Sequence, residues 1–577
     1  MSGIVEKLTE GIVSRDLQKE GAALLNKWSR TGLLEGIEND FTKNSMAVLL
    51  ENQAKELLRE SSTMAGGDVE GFAAVAFPIV RRVFGQLIAN EIVSVQPMSL
   101  PSGLIFFLDF TFGNDHPAAA NTVGESLYGG NAVGRQITGG VNLGTTALPQ
   151  YAEKSFYALN QGYASPLKQI STAITPVASG TVGGTWSGTA LYTAYGDRLV
   201  QYDPDLSGSI VAVGTVAKSA FTNLNQTDLI TIAITSSLGA AGGKQVRRLT
   251  VTDPTDSTKY LIVTVATGSE TANNLGSAIN TTHGFNYAAA DVFAADSLAT
   301  GGVVGSADWL LESDLTTVSG NFGDVLGKIP EIDIRVDSVA VTAVTKKLRA
   351  KWSPELGQDL NAYHNLDAEV ELTSILSEQI ALEIDREVLG DLVKGATAAT
   401  LYWSRRPGKF LNRTTGGTVS GASFTGNVSM WYETLIETIN DVSAQIHRKV
   451  RRGGANFLVC SPEVANLLEF TAGFKASVLA DETKGGMAGV MKVGNVSKKW
   501  DVFVDPYFPR QVILVGRRGN SFLESGYVYA PYVPLQVTPT IFGTEDFAPR
   551  KGVMTRYAKK MVRPDMYGLV IVEDLLG

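Results

Sequence analysis

The sequence predicts a protein of the α+β class, and three observations along the chain predict it. Residues 1–60 are rich in charged side chains and have apolar residues at helical spacing. A middle region rich in Gly, Ala, Thr and Ser contains segments that alternate with the period of a β-strand. A long apolar stripe at residues 372–392 is followed by short apolar runs toward the C-terminus. Helices and strands are therefore expected in largely separate stretches of the chain.

The N-terminal segment, residues 1–60, predicts a polar helical module. The small and polar residues of Ser61–Asp68 predict an exposed linker after it, which places a boundary near residue 60. Further along, mixed apolar spacing over 77–95, turn residues at 97–103 and the aromatic run 104–110 predict a helix, a turn and a strand in that order.

The β-rich middle region has three segments with period-2 alternation, at residues 229–235, 245–252 and 260–265. Such alternation is typical of short strands that have one buried face. A helix is expected over residues 270–280.

A long helix is predicted from Ser353 onward, because a serine cap, Pro354 at the first helical position and an early Glu355 satisfy three helix-start preferences together. We expect one unbroken amphipathic rod over residues 354–394 that packs on a sheet or on another helix. The apolar stripe of this rod recurs at every fourth residue, at Leu372, Leu376, Ile380, Ile384, Val388 and Leu392.

The C-terminal region combines a helix over 430–447 with a strand over 456–460, and Ser461 with Pro462 then starts another helix. This alternation fits an α/β or an α+β domain. The last eighty residues are predicted to be mostly strands, at 502–504, 511–515, 526–529 and 568–572.

The bulk properties exclude several classes of protein. A chain of 577 residues has room for two to four domains. No apolar run is long enough to span a bilayer, and the N-terminus lacks the pattern of a secretory signal, so we expect synthesis in a cytosol. The net charge of −9 opposes strong attraction to nucleic acid. Cys460, the single cysteine, lies in an apolar run and is expected to be buried and inert.

No catalytic, cofactor-binding or metal site is predicted. The four histidines, His116, His283, His364 and His447, are too scattered for metal-ligand spacing. The glycine-rich segment 323–328 has three residues between its glycines and is followed by Ile329, so it does not fit a phosphate-binding loop. No Gly-x-Ser-x-Gly motif occurs, and an enzyme is the least favoured class.

Two basic clusters are the candidate interaction residues. The first contains Arg405, Arg406 and Lys409, and the second contains Arg448, Arg451 and Arg452. Each could be a solvated surface, could pair with acidic surfaces of neighbouring subunits, or could bind phosphates. Phosphate binding comes last, because aromatic residues do not interleave with the basic ones and the net charge is negative. We carry the intersubunit alternative forward as the hypothesis.

Several segments, in colinear order, carry a resemblance to one known family. The first runs from Val80 to Phe106. The others are 347–360 with 367–372 and 383–388, and near the C-terminus 526–534 with 551–557. Together they cover about half of the chain and resemble the major capsid proteins of T-even-type tailed bacteriophages, in which the first segment is similar to the start of the mature protein.

This resemblance implies the Hong Kong 97 capsid fold, with an N-terminal arm, an extended loop, a peripheral domain that holds a long spine helix, and an axial domain. The large insertion in the extended loop departs from the family's pattern. The implied division is 1–60 propeptide, 61–103 arm, 104–350 extended loop with a β-rich insertion at about 195–320, 351–424 peripheral domain, 425–515 axial domain, and 516–577 strands that complete the peripheral domain.

The resemblance also implies removal of the N-terminal segment by a prohead protease that reads a short apolar-x-Glu signal. Leu58 and Glu60, followed by Ser61, fit that signal. The partners implied are other copies of the chain in hexameric capsomers, a pentameric vertex protein, a scaffolding core, the protease, a portal and decoration proteins. Contact with the packaged DNA is expected to be weak and non-specific, and no membrane partner or cofactor is expected.

The expected function is therefore to form the head shell around double-stranded DNA, in the virion capsid, after assembly in the cytoplasm of a host bacterium. Two alternatives remain open. The related pentameric vertex protein shares the fold, and the Thr- and Gly-rich insertion would also suit a surface-binding or adhesive structural protein.

Overall fold

The structure, a computed structural model, forms two compact units, and we describe each by itself. The first unit comprises residues 1–107 and 338–577, and the second comprises residues 108–337. The residues that the structure describes are 17–34, 40–61, 87–98, 100–113, 124, 167–203, 206–221, 224, 226–227, 229–234, 243–266, 272–288, 331–419, 424–450, 452–471, 474–476, 491–496, 499–519, 524 and 526–575.

The N-terminal part of the first unit is helical, as the composition predicts. Helices α1 (Leu17–Ser29) and α2 (Asp40–Ser61) pack together and are called here the N-terminal helix pair. A short helix α3 (Ala89–Ile92), a short strand β1 (Ser94–Val95) and a long strand β2 (Ser102–Phe112) follow. The strand predicted over 104–110 is confirmed, whereas most of the helix predicted over 77–95 falls outside the described residues.

The second unit is rich in strands. Its elements are β3 (Leu167–Ala173), β4 (Thr175–Thr181), β5 (Trp186–Gly188), α4 (Ala190–Thr193), β6 (Ile210–Ala217), β7 (Ala233–Ile234), β8 (Lys244–Gln245), β9 (Val251–Thr252), β10 (Lys259–Val265), α5 (Ala272–Ile279) and β11 (Thr282–Ala288). Six strands form one sheet in the order β5-β4-β6-β10-β8, with β9 paired to β10, and three form a second in the order β3-β11-β7.

Some predictions for this unit are confirmed and others are wrong. The strand at 260–265 and the helix within 270–280 are present. At 229–235 a 3₁₀ turn (Leu229–Thr231) leaves only two residues in β7, and at 245–252 another turn (Arg247–Leu249) separates β8 from β9. Alternation could not reveal these turns. The described strands also begin at Leu167, before the predicted start of the β-rich part near 195.

Strand β12 (Ile332–Thr342) pairs with β2, and β13 (Val344–Lys351) follows. Helices α6 (Pro354–His364) and α7 (Ala368–Gly395) come next. The prediction of one unbroken rod over 354–394 is therefore wrong. Asn365 adopts a left-handed conformation with φ 52°, which ends α6, and Asp367 accepts a hydrogen bond from the backbone N–H of Glu369, which starts α7. The rod that remains has 28 residues and is about 42 Å long.

Helix α7 packs on the sheet through the stripe that the sequence predicts. Six of its buried apolar side chains belong to the main core of the first unit, and they are Leu376, Ile380, Ile384, Val388, Leu389 and Leu392. Leu372, which begins the predicted stripe, is only partly buried. The helix therefore owes its position to burial along most of its length.

A seven-stranded mixed sheet forms the next part of the same core. Its elements are β14 (Thr400–Ser404), α8 (Val428–Val450), β15 (Phe457–Cys460), α9 (Pro462–Glu469), β16 (Phe474–Ala476), β17 (Met491–Val496), β18 (Trp500–Val504) and β19 (Val512–Gly516). With the C-terminal strand β23 (Tyr567–Glu573), the strand order is β14-β23-β19-β15-β18-β17-β16. Helix α8 covers one face, and the predicted cap of α9 by Ser461 is confirmed by a bond from the backbone N–H of Val464.

The C-terminal residues close both sheets of the first unit. Strands β20 (Tyr527–Val537), β21 (Ile541–Phe542) and β22 (Pro549–Met561) belong to a five-stranded sheet in the order β1-β20-β22-β13, with β21 on β22. Strand β23 (Tyr567–Glu573) returns to the seven-stranded sheet. Helices and strands are both abundant and the sheets are mixed or antiparallel, so the predicted α+β class is confirmed.

Candidate intersubunit surfaces

A ladder of ion pairs fixes α7 over the five-stranded sheet. Glu383, Glu387 and Asp391 recur at every fourth residue, so all three carboxylates lie on the same side of the helix. Lys346 of β13 lies 2.6 Å from Glu383 and 3.2 Å from Glu387, measured from Nζ to the carboxylate oxygen. Lys559 of β22 lies 2.6 Å from Glu387 and 2.7 Å from Asp391. These pairs are inside one chain and set the orientation of the helix on the sheet.

Tyrosines complete this ladder. The Tyr557 hydroxyl donates to Glu387, and the Tyr527 hydroxyl donates to Asp391 at 2.9 Å. Partial burial alone would raise the pKa of Glu387, but the hydrogen bonds from Lys559, Tyr557 and Lys346 lower its pKa to about 2. Glu387 therefore stays ionised in the folded protein over the neutral range, and its charge contributes to the attachment of α7.

A buried carboxylate on the opposite side of α7 binds the backbone just before α3. Asp385 is 6% exposed and accepts a hydrogen bond from the backbone N–H of Ile88 at 3.4 Å, just before α3. Burial, with a smaller effect of the neighbouring carboxylate of Asp505, raises the pKa of Asp385 to about 7. No local signal in the sequence marks this position as buried.

Three groups of apolar side chains are exposed on the described surface. On α6 no side chain is buried, and Leu356, Tyr363 and Leu366 with Val370 and Ile375 form an exposed row along α6 and the start of α7. On β12 the exposed apolar residues are Ile332, Ile334 and Val336, and the charged residues between them are exposed as well. Between β20 and β22, Ile541, Phe542 and Phe547 are exposed. Exposed apolar surface of this extent is typical of regions that another protein covers.

The first predicted basic cluster makes contacts inside the chain. Lys409 Nζ lies 3.1 Å from Glu573 and 2.7 Å from Asp574, and the Arg405 guanidinium donates to the carbonyl of Leu575. These two residues bind the C-terminal segment. Arg406 is exposed, and its backbone N–H donates to Ser404 Oγ.

The second cluster surrounds the end of α8. The Arg452 guanidinium forms an ion pair with Glu524, and Arg448 is exposed in the last turn of α8. Arg451 lies outside the described residues. The structure thus assigns intrachain partners to Arg405, Lys409 and Arg452. The side chains of Arg406 and Arg448 are exposed.

The predicted cleavage residues Leu58, Glu60 and Ser61 lie in the last turns of α2, which ends at Ser61. A protease that binds an extended substrate must unwind this helix end before it can cut there. Local unwinding of a helix terminus requires little free energy.

The residues considered for chemistry have structural surroundings. Cys460 is fully buried, which raises the pKa of its thiol to about 12. His283 is buried beside Thr281 Oγ1 at 2.9 Å, His364 and His447 are exposed at helix ends, and His116 is outside the described residues. Within the described ranges no three His, Cys, Asp or Glu side chains form a group that could hold a metal ion. Among the helices that the structure describes, none has the length and apolar character to cross a membrane.

A well-packed core with an anchored long helix thus carries several groups of exposed apolar side chains, which are typical of subunits of larger assemblies. The sequence comparisons then identify the particular family. A match to the family described as "Major capsid protein Gp23" covers residues 69–203 and 208–574. The chain belongs to this family of phage major capsid proteins, which form the shell of the virion.

Individual relatives agree with this assignment. The major capsid protein of Enterobacteria phage T4 is 26% identical over 591 residues, which cover 93% of this chain and 91% of that protein. The major capsid protein of Vibrio phage KVP40 is 30% identical over 239 residues, which cover 39% of this chain and 45% of that protein.

Similar solved structures also come from phages. A chain from Mycobacterium phage Adephagia is 12% identical, with a TM-score of 0.30, and the match covers 46% of this chain and 81% of that one. The capsid of Myoviridae phage XM1 is 13% identical, with a TM-score of 0.28, over 44% of this chain and 80% of that one.

Proposed function

We propose that this chain forms the head shell of a tailed bacteriophage as hexameric capsomers with the Hong Kong 97 fold, and that the shell encloses double-stranded DNA. The observation that carries this proposal is the family match over most of the chain. The exposed apolar rows on α6, β12 and the β20–β22 connection support it, because a lattice of copies would cover them.

The domain assignment follows the same proposal. Helix α7 is the spine helix of a peripheral domain with the five-stranded sheet, and α8 with β15–β19 lies within the axial domain of 425–515. The extended loop is residues 104–350. The compact unit 108–337 lies within this range, which supports an insertion carried by that loop.

The chain acts without a catalytic site or cofactor, and its partners are those of a growing head. These are other copies of the chain, a pentameric vertex protein, a scaffolding core, the prohead protease, a portal and decoration proteins. Assembly takes place in the cytoplasm of the host bacterium, and the net charge of −9 supports weak contact with DNA. The candidate charge contacts with acidic surfaces of neighbouring subunits are the residues of the two basic clusters, Arg405, Arg406, Lys409, Arg448, Arg451 and Arg452.

Maturation removes residues 1–60 at the signal formed by Leu58 and Glu60. The position of this signal at the end of α2 supports the proposal, because only the end of the helix has to unwind. Mass analysis of purified mature heads should find an N-terminus at Ser61. An intact Met1 in mature heads would contradict cleavage without touching the shell-forming function.

Electron microscopy of the chain expressed with its assembly partners tests the main proposal. We expect closed shells or regular sheets of hexamers. Copy counting in purified heads separates the two related proteins of this fold, since a shell protein is present in hundreds of copies and a vertex protein only at the five-fold positions. Monomers under every assembly condition would refute both.

A surface-binding role for the insertion is the second candidate. The second unit has two apolar clusters of its own, one around Phe221, Tyr260 and Phe285 and one around Leu199, Val213 and Leu261, so it can fold as a separate module. Deletion of the insertion should leave shell formation intact if this unit only binds decoration proteins or host glycans. If shells no longer form, the insertion contributes to the contacts between subunits of the shell.

A further inference from the structure

The N-terminal helix pair contributes to the main core of the first unit. Trp28, Met46, Leu49 and Leu50 are each at most 5% exposed and belong to the same apolar cluster as Ile92, the spine-helix stripe and the tyrosines of β20. Helix α2 packs directly on β20. A segment that maturation would discard is thus built into the core rather than attached to its surface.

The backbone of strand β20 is poorly suited to fix its own register in the sheet. It pairs with β1 in parallel at Val528 and Tyr529 and with β22 in an antiparallel arrangement, and Pro531 and Pro534 lie beyond the part that pairs with β1. Proline lacks the N–H that a ladder needs, so neither proline can donate a hydrogen bond to a neighbouring strand. The pairing with β22 shifts register between Pro531 and Val533, and again between Val533 and Gln536. Backbone pairing alone therefore specifies the register of β20 weakly.

One residue of the helix pair binds this irregular stretch. Asn52 Nδ2 donates to the carbonyl of Tyr532 at 3.4 Å, between the two prolines. It also donates to the carbonyl of Met98 at 3.0 Å, in the arm that continues from β1 along β20. The backbone N–H of Met98 in turn donates to the carbonyl of Pro531 at 2.9 Å. One amide of α2 therefore ties the arm to the shifted part of β20.

The order along the chain gives this contact a role in folding. Asn52 and Tyr532 are 480 residues apart, so the helix pair is made early and β20 is made last. Helices have local contacts and form fast, whereas pairing between distant strands is slow. The apolar face of the preformed helix pair can bind β20, and the Asn52 amide then accepts only the register that places the carbonyl of Tyr532 beside it. One register of β20 is thereby selected before the sheet closes.

We propose that the N-terminal helix pair is a folding template for β20, which sets the register of this proline-interrupted strand and is dispensable once the sheet has closed. The dispensability rests on the proposed removal of residues 1–60, whereas the templating does not. The N-terminal helix pair thus covers β20 during folding, and the folded shell no longer needs it.

Refolding from denaturant tests the template, with Asn52→Leu as the variant and Asn44→Leu, at an exposed position of the same helix, as the matched control. Asn52→Leu should slow refolding about tenfold and leave the unfolding rate nearly unchanged, as for a contact formed before the folding barrier. Asn44→Leu should behave like the parent chain. If Asn52→Leu speeds unfolding and leaves refolding unchanged, the contact forms late and the template is refuted.

A chain that carries an inserted protease recognition site after Met64 gives the second measurement. Cut after folding and freed of the helix pair, the chain should keep the near-ultraviolet circular dichroism of the folded protein. Denatured and returned to buffer without the helix pair, it should regain about a tenth or less of that signal. Equal recovery with and without the helix pair would overturn the template. Unfolding on removal of the pair would overturn its dispensability after the sheet has closed. Neither result bears on whether the chain builds shells, which microscopy decides.

Discussion

Helices α6 and α7 follow one another in the chain, yet the rest of the protein holds them in opposite ways. Helix α7 buries eleven side chains and carries the ion-pair ladder to β13 and β22. Helix α6 buries none, although it has a serine cap, a proline at its first position and a left-handed Asn365 at its end. Gly357 inside α6 lowers its helix propensity by about 1 kcal/mol relative to alanine. Good local signals thus start and end a helix, but packing decides how firmly it is held.

The largest difference in stability between the two helices is expected when an aspartate replaces an apolar residue in each of them. Ile384→Asp puts an unpaired carboxylate at a fully buried position of α7 and should destabilise the fold by about 4 kcal/mol or more. Leu356→Asp on α6, where the side chain is about half exposed, should change stability by less than about 0.5 kcal/mol. Urea unfolding followed by circular dichroism measures both, and equal effects would remove the difference between the helices.

The next prediction concerns pH and Asp385. Because burial raises its pKa in the folded state to about 7, the folded protein binds a proton there that the unfolded chain releases near pH 4. This contribution is fully present below pH 4 and is lost as the pH rises to about 7. Asp385→Asn should therefore flatten the pH dependence of unfolding between pH 4 and 7, and at pH 8 it should raise stability by at least about 1 kcal/mol.

Asp505 is the neighbouring carboxyl group that could contribute to the same slope, because burial raises its pKa as well. The control is therefore Asp505→Asn, which should alter the profile less. An Asp385→Asn profile parallel to that of the parent chain would show that this carboxyl group is not the source.

The ion-pair ladder should have a smaller effect. Glu387→Gln removes a carboxylate that accepts from Lys559 and Tyr557, and we expect a loss of about 1 to 2 kcal/mol at pH 7. Since the pKa of Glu387 is lowered to about 2, this contribution is present above about pH 4.5 and is lost as the pH falls toward 2. A double-mutant cycle with Lys559→Met gives the pairwise term, and additive effects would show that the pair contributes nothing.

The smallest effect is expected from the two helix caps. Asp367→Ala removes the cap of α7 and should cost about 1 kcal/mol in the free energy of unfolding. Ser353→Ala removes the equivalent bond to Leu356 in α6, and global unfolding should not register it, because α6 can fray without exposing core. A cost for Ser353→Ala as large as that for Asp367→Ala would mean that α6 is held as firmly as α7.

The sequence predicted most elements whose signal is local. The stripe from Leu376 to Leu392, the caps at Ser353 and Ser461 and most of the C-terminal strands are where periodicity and capping put them. The break between α6 and α7 was missed, although Asn365 and Asp367 are the residue types that end and start helices. The apolar spacing from Leu372 onward is a stronger pattern than these two residues, and it favoured a single long helix.

Features that depend on distant partners could not be predicted. Lys559 meets Asp391 across 168 residues, and Asn52 meets Tyr532 across 480, so no window of sequence contains both partners. The basic clusters illustrate the same limit. Lys409 and Arg452 have partners in their own chain at Glu573 and Glu524, which spacing alone could not reveal.

Hydrogen exchange on the unassembled chain and on assembled shells tests most directly whether neighbouring copies cover the exposed apolar residues of α6. The amides of α7 should be protected in both states, because its partners lie in its own chain. The amides of α6 should exchange fast in the free chain and slow down about a hundredfold or more in shells, where another copy covers the exposed row. Equal protection of α6 in the two states would contradict the account.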